Sequence, residues 1–136
     1  MEREDKELLL KDLCARLPYG VKAKYYGSAE ECECWDTIEG IYPMDDEIVI
    51  GQYGLSVDMI KPYLFPLSSM TEEQKKEYNR WKHEVPVCHY EYGDVVEEVE
   101  LFDSPESFEY LIENHFDYRG LIPKGLANDA TGLNIY

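Results

Sequence analysis

The sequence of 136 residues predicts an α+β fold in a single domain over residues 1–136. Three patterns predict it: apolar residues at helical spacing near the N-terminus, several short stretches in which apolar and polar residues alternate, and two later segments that begin with helix-capping residues. We expect a helix and a β-meander over residues 1–66, a mainly helical extension over 67–127, and a loosely held tail over 128–136.

The first helix is expected over residues 6–17. Leu9, Leu10 and Leu13 recur at helical spacing, charged residues such as Lys11 and Asp12 stand between them, and a proline then stops the pattern. The segment therefore predicts an amphipathic helix that packs on the core.

Alternation predicts four short antiparallel strands after this helix. They are expected at residues 19–26, 32–39, 47–53 and 55–57, and Gly40 marks a bulge or bend after the second. So many strands in a short segment must curl into a small barrel-like sheet or be covered by helices. We expect the small barrel-like antiparallel sheet.

A connector and a polar helix come next. Two prolines, Pro62 and Pro66, stand among bulky apolar residues, so we expect a packed connector without regular structure. Thr71 with Gln74, or Ser69 with Glu72, then resembles a capping box. Trp81, near the end of this polar helix, is expected to pack against its own domain, and the alternative is an anchor for a partner.

The C-terminal part is predicted to be an acidic hairpin followed by a helix. Residues 87–92 and 95–101 flank Gly93-Asp94, a pair that favours a tight turn, although the second arm also fits helical spacing. Ser104 before a proline predicts the start of the helix. His115 falls on its apolar face, where a structural histidine is the expectation.

Charge excludes one class of function. Thirteen Lys and Arg face 29 Asp and Glu, a formal net charge of -16, and residues 83–118 hold eleven acids without a Lys or Arg. Nucleic-acid binding needs clustered basic side chains, so we expect no direct contact with nucleic acid. The acidic surface serves solubility, or it attracts a protein partner that is basic.

The apolar runs are too short for a membrane protein. None approaches the roughly 18 residues that span a bilayer, and the first twenty residues lack the basic and apolar pattern of an export signal. We therefore expect a soluble, cytoplasmic protein.

Cysteine and histidine spacing argues against a metal site. A zinc site would have to combine Cys32, Cys34 and Cys88 with one histidine, but C-x-C and an adjacent Cys88-His89 pair are poor ligand spacings. We expect reduced thiols, no metal and no cofactor.

Catalytic motifs are also missing from the sequence. It contains no phosphate-binding glycine loop, no nucleophile elbow and no H-E-x-x-H. We assign no catalytic residue and expect a protein that is not an enzyme; an unrecognised small enzyme or a zinc-binding module is the alternative.

Three blocks carry a resemblance to a known family. They are Lys11–Val21 (KDLCARLPYGV), Ile60–Thr71 (IKPYLFPLSSMT) and His115–Ala127 (HFDYRGLIPKGLA). In them the chain resembles a family of small Bacteroidales proteins that occur in genomes and in prophage or other mobile-element regions. The family has no assigned activity, so the resemblance implies a bacterial or phage cytoplasmic setting and no chemistry.

The DYRG segment in the third block has two interpretations. The structural one pairs Arg119 with Asp117 or Glu113 and gives Gly120 a positive φ. The alternative is a recognition site that includes Tyr118 and Arg119.

These observations predict an accessory or interaction protein of a bacterial or phage mobile element. Its twelve tyrosines and its acidic surface suit a protein interface. The alternative is an acidic decoy that occupies the nucleic-acid site of a basic DNA-binding protein. The candidate partner-binding residues are Glu97, Glu98, Glu100, Asp103, Glu106, Glu109, Trp81, Tyr118 and Arg119.

Overall fold

A computed structural model describes residues 1–26 and 33–136. Its helices and strands confirm the α+β class. In chain order they are α1 (Arg3–Arg16), β1 (Lys22–Tyr26), β2 (Glu33–Tyr42), β3 (Glu47–Ile50), β4 (Tyr53–Ser56), β5 (Ile60–Pro66), α2 (Glu72–Arg80), β6 (His83–Glu91), β7 (Asp94–Phe102), α3 (Pro105–Glu113), β8 (Phe116–Asp117) and β9 (Asn128–Asp129). The predicted start of the second strand, with Cys32, lies outside the described residues.

The described chain divides into two compact units. Residues 1–69 and 112–136 form the first unit, and residues 70–111 form the second. The sequence predicts one domain with internal divisions after residues 66 and 127, and it does not predict that residues 112–136 return to the first unit. None of the helices in the described ranges combines the length and the apolar character that crossing a bilayer requires.

An open sheet forms the centre of the first unit. Its strand order is β4-β3-β2-β1-β5-β8, and β9 also pairs with β5. Within the described residues the two ends of this path do not meet, so the expected barrel-like closure is wrong. The sheet is covered by helix α1 instead of being closed into a barrel. Leu9 and Leu13 of α1 share one buried core with Val21 and Ile48 of the sheet region.

The sequence correctly predicts which side chains of β1 face the core and where β2 is interrupted. Val21, Ala23 and Tyr25 are buried at every second position, as expected for one face of a strand. The pairing of β2 with β3 shifts register between Ile38 and Gly40, which confirms the predicted bulge.

The proline-rich connector is a strand, so the expectation of an irregular segment is wrong. Pro62 is the last β5 residue that pairs with β1, and pairing with β9 begins at the next residue. Pro66 is the final residue of the strand. A proline φ is compatible with extended backbone, and only its missing N–H is costly, so prolines at such boundaries leave the strand intact.

The C-terminal residues are also held, and the expectation of a loose tail is wrong. Ala130 and Ile135 are buried. The Tyr136 hydroxyl donates to the carbonyl of Tyr63 at 2.7 Å and accepts from the backbone N–H of Lys22 at 2.9 Å. Two-residue pairings such as β8 and β9 are too short to leave a periodic pattern in a sequence.

Candidate interaction surface

A β-hairpin dominates the second unit, which lies in the extension over residues 67–127 that the sequence predicts to be mainly helical around an acidic hairpin. β6 and β7 pair antiparallel from His83 opposite Phe102 to Glu91 opposite Asp94. The predicted hairpin is thus confirmed and the helical alternative for its second arm is wrong. The turn lies at Tyr92-Gly93, one residue before the predicted Gly93-Asp94, and both turn residues have positive φ (52° and 89°). That is the signature of a two-residue type I′ turn.

The register gives the hairpin two different faces, because residues directly opposite each other share a face. We name the first the apolar face; it carries Pro86, Cys88, Tyr90, Val95, Val99 and Leu101 with Glu84 and Glu97. We name the second the acidic face; it carries Glu91, Asp94, Glu98 and Glu100 with His83, Val85, Val87, His89, Val96 and Phe102.

Both faces are open to solvent. Tyr90, Val95 and Val99 of the apolar face are 81%, 59% and 65% exposed. On the acidic face only Val87, His89 and Val96 reach partial burial. A two-stranded ribbon is marginally stable alone in water, and its exposed apolar side chains make the hairpin the candidate interaction surface of the described chain.

Side-chain bonds join the two helices at the base of the hairpin. The Tyr78 hydroxyl of α2 donates to Asp103, and Ser104 donates from its hydroxyl to the carbonyl of Trp81. Burial and the bond to Asp103 raise the pKa of Tyr78, because both disfavour the charged phenolate. These bonds fix the residues that precede β6 and follow β7.

The helix starts of this unit lie where the sequence predicts them, and of the two capping boxes it offers for α2 the one at Thr71 forms. Thr71 and Gln74 form a reciprocal capping box, with bonds of 3.2 and 2.9 Å between each side chain and the other residue's backbone N–H. Ser104 accepts from the N–H of Ser107 at 3.0 Å at the start of α3.

The structure brings seven of the nine candidate residues into the second unit. Glu97, Glu98 and Glu100 are exposed on β7, and Trp81 is 45% exposed after the last residue of α2. Glu106 and Glu109 are exposed on α3. Asp103 differs, since its carboxylate accepts from Tyr78 and Ser107 and so has a structural role.

The other two candidates, Tyr118 and Arg119, belong to the first unit. The predicted pairing of Arg119 with Asp117 or Glu113 is wrong: its Nε donates to Asp12 Oδ1 at 3.1 Å. Asp117 instead accepts from the N–H groups of two following residues in the turn. Gly120 has the predicted positive φ, at 74°.

Sequence reasoning missed the buried ion cluster to which Arg119 belongs. Asp12 and Arg16 are fully buried, with Arg16 Nε 2.8 Å from Asp12 Oδ2. Arg16 Nη2 also donates to the carbonyl of Phe116 at 2.5 Å. The available signal was spacing, since Asp12 and Arg16 continue the stripe of Leu9 and Leu13 at i, i+3, i+4 and i+7.

His115 is packed as a structural residue. Its ring stacks on Tyr136 with centroids 3.6 Å apart and an interplanar angle of 11°. Burial, with smaller effects from Arg16 and Lys22, lowers the pKa of His115 to about 4, so the ring is neutral at pH 7. Within the described ranges its Nδ1 has no hydrogen-bond partner.

Little else in the described chain offers chemistry. No cluster of three or more His, Cys, Asp or Glu residues there has metal-binding geometry, and Cys34 and Cys88 lie in different units. A shallow depression of about 260 Å³ borders α1 and includes Cys14. Partial exclusion of water raises the pKa of the Cys14 thiol, which makes it a poor nucleophile.

Comparison with known proteins adds no relative. No protein-family model, curated protein or solved structure matches the chain. The proposals below therefore rest on the chain's own residues, and on the sequence resemblance only for the setting.

Proposed function

We propose that this protein is a non-enzymatic interaction protein that binds a basic protein partner through the hairpin of its second unit. One observation carries the proposal: two paired strands of nine residues each expose apolar and acidic side chains on both faces. Such a surface combines the apolar area that stabilises an interface with the charge that selects a partner.

The tip of the hairpin supports a binding role. Tyr92 is fully exposed and has a φ of 52°, a conformation that costs a bulky residue about 1–2 kcal/mol. Asparagine or glycine would occupy this position without that cost. A fully exposed tyrosine has no packing that would offset this strain, and tyrosine is enriched in protein interfaces.

Charge supports a basic partner. The second unit carries twelve acidic and four basic side chains, a net charge of -8, and all four basic residues precede the hairpin. The hairpin itself has six acids and no Lys or Arg. Its field would accelerate encounter with a basic surface and disfavour an acidic one.

We propose the bacterial cytoplasm as the setting, with the protein an accessory of a mobile element. The support is the resemblance of the three sequence blocks to the Bacteroidales family. An interaction protein without its own chemistry suits an accessory role, because it can act by occupying the surface of a host or phage protein.

The acidic decoy is the second candidate. Asp94, Glu98 and Glu100 lie in one row along β7 on the acidic face, where side chains two residues apart are roughly 7 Å from each other. Such a row could occupy the phosphate-binding groove of a DNA-binding protein. A decoy, unlike a general interaction protein, must be displaced from its partner by DNA.

Charge reversal at the hairpin tests the proposed function. The triple variant Glu97→Lys, Glu98→Lys and Glu100→Lys is compared with a matched control that reverses the exposed Glu2, Glu4 and Glu39 of the first unit. Each variant changes the net charge by the same amount. Tagged proteins are used for capture from a Bacteroidales lysate, and the bound proteins are quantified by mass spectrometry.

We expect a basic protein that binds the wild type and the control variant but is at least about tenfold reduced with the hairpin variant. Equal loss in both variants would show that bulk charge, not the hairpin, accounts for binding. Release by DNA would favour the decoy. Equal capture by all three proteins, or no basic protein at all, would refute the proposal.

A further inference from the structure

We infer that the partner contributes an extended basic strand, which pairs antiparallel with the outer edge of β7. The inference rests on the proposed function, because it identifies the class of partner and the part of the hairpin that receives it. It is argued from backbone geometry, from the position of one proline and from the distribution of charge between the faces.

The turn determines which backbone groups face outward. A two-residue turn is closed by hydrogen bonding between Glu91 and Asp94, so the ladder bonds continue at every second pair along the hairpin. The N–H and C=O groups of the residues between these pairs point away from the other strand of the hairpin, towards its outer edge. On β7 these residues are Val95, Glu97, Val99 and Leu101.

Both outer edges of the hairpin are unpaired in the part of the chain that the structure describes, since the sheet has only β6 and β7. The edges are not equivalent. On β6 the outward residues include Pro86, which has no N–H, so that edge lacks a donor near its middle. The β7 edge offers a donor and an acceptor at every outward position, as strand addition requires.

The faces determine the sequence of the added strand. Its side chains on the acidic face would lie beside Glu98 and Glu100; those on the apolar face would lie beside Val95 and Val99, with Glu97 between these two. Lysine or arginine fits the first row, and valine, isoleucine or an aromatic residue fits the second. The partner strand therefore alternates basic and apolar residues, with an antiparallel direction because such pairs are the more stable per residue.

A second copy of this chain fits the same edge poorly. Two β7 strands paired around a two-fold axis at Glu98 would bring the acidic rows of both copies together. Like charges opposite each other destabilise a sheet, and neither hairpin supplies a Lys or Arg to neutralise them. Charge complementarity thus selects a different, basic chain.

The first test uses the full-length protein and an eight-residue peptide that alternates Lys and Val. Backbone amide exchange is measured by NMR at low salt. We expect the amides of Val95, Glu97, Val99 and Leu101 to exchange at least about tenfold more slowly when peptide is bound, and the outward amides of β6 to be unchanged.

Two methylated peptides provide a matched control. When the peptide pairs antiparallel with β7, its Val side chains lie on the apolar face and its Lys side chains lie on the acidic face. In this arrangement the Val N–H groups point at β7 and the Lys N–H groups point away from it. Methylation of the Val nitrogens should abolish amide protection, whereas methylation of the Lys nitrogens should preserve it. A Glu–Val peptide should not bind.

Protein variants test the same edge independently. Val99→Pro removes an outward N–H from β7, and Cys88→Pro removes one from β6; we expect only the first to weaken peptide binding, by about tenfold or more. Cross-strand NMR contacts verify that each hairpin is folded. Should either be unfolded, Glu98→Lys and Glu84→Lys replace them, and only Glu98→Lys should weaken binding.

Several results would overturn the inference. They are absence of peptide binding, binding without protection of β7 amides, equal effects of the paired variants, and protection of β7 amides by self-association without peptide. The proposed function can survive this failure: a lysate partner lost only in the hairpin triple variant would show that the hairpin binds through side chains without strand addition.

Discussion

One carboxylate, that of Asp12, joins two arginines inside the first unit. Asp12 and Arg16 are fully buried, and the second arginine, Arg119, contacts the other carboxylate oxygen at 3.1 Å. We expect Asp12→Ala to lower the free energy of unfolding by about 3–5 kcal/mol, because it leaves a buried guanidinium without its counter-charge. Urea denaturation monitored by circular dichroism measures the change.

A surface ion pair is the control for this prediction. Asp58 lies 3.5 Å from Lys6, and both side chains are partly exposed. Asp58→Ala should cost no more than about 1 kcal/mol. Equal losses for the two alanine variants would mean that burial does not distinguish the pairs.

His115 gives the fold a pH dependence. Its pKa is lowered from 6.5 to about 4 in the folded chain, chiefly by burial. As the pH falls, the unfolded chain therefore takes up this proton before the folded chain does. The contribution of neutral His115 to the free energy of unfolding is complete above pH 6.5, falls as the pH drops towards 4 and is constant below. We expect the free energy of unfolding to decline over this window, and to decline less in His115→Asn.

Asparagine tolerates the positive φ of His115, 62°, so the variant tests titration with little backbone strain. Loss of the stack on Tyr136 does not depend on pH, so it changes the free energy of unfolding by a constant amount and leaves its slope against pH unchanged. An NMR titration should give a midpoint of about 4 for His115. A midpoint near 6.5 would contradict the burial argument.

Residue roles were the hardest features to predict from the sequence. Spacing alone places Asp12 and Arg16 on one helix face but does not reveal that this face is buried. Arg119 bonds to a residue 107 positions away, and only the fold brings the two together. The caps at Thr71 and Ser104 were predictable because their bonds are local.

At the level of elements, predictions succeeded where local pattern and tertiary environment agree. Strand β1 alternates and buries every second residue, so its pattern is readable. β5 was missed because its prolines suggest irregular backbone, although they sit where no ladder donor is needed. The hairpin was predicted, but Gly93 occupies the second turn position and was assigned to the first.

The hairpin turn allows a prediction that separates stability from binding. Tyr92→Asn should stabilise the hairpin by about 0.5–1 kcal/mol, because asparagine accepts the left-handed conformation more readily and no packing is lost. Amide exchange of Val96 and Glu98, in ladder positions, measures the change. The same variant should reduce partner capture if Tyr92 binds the partner.

Tyr90→Asn is the matched control. Tyr90 is also highly exposed, at 81%, but it lies in extended backbone, where asparagine is unfavourable. We expect this variant to destabilise the hairpin. Equal effects of the two substitutions on amide exchange would show that turn conformation does not govern hairpin stability.

At the scale of the whole molecule, burial is distributed unevenly. Fully buried side chains such as Leu9, Ile48 and Leu64 fill the first unit. Residues 70–111 contain only three buried residues, Ser104, Ser107 and Leu111, and two of these are polar. The contrast arises because the two faces of the hairpin are left uncovered, and the apolar and acidic residues of the hairpin do not by themselves predict that.

This contrast predicts two levels of stability in one chain. Amides of Val96 and Glu98 in the hairpin should exchange at least about 100-fold faster than those of β3, which pairs with strands on both sides. Raising the salt from about 0.01 M to 0.15 M shortens the screening length from about 30 Å to about 8 Å. Since the hairpin carries six acids and no Lys or Arg, its exchange should slow while that of β3 hardly changes.

Partner binding should have the same effect as salt, only more strongly, because a basic strand both neutralises the acids and pairs the free edge of β7. The exchange rates of the hairpin amides with the Lys–Val peptide at about 0.01 M salt should therefore fall below the rates that about 0.15 M salt gives without peptide. Uniform exchange across β3 and the hairpin in the absence of peptide would contradict this account. It would mean that the second unit is stable without a partner, and that its exposed apolar face is no indication of one.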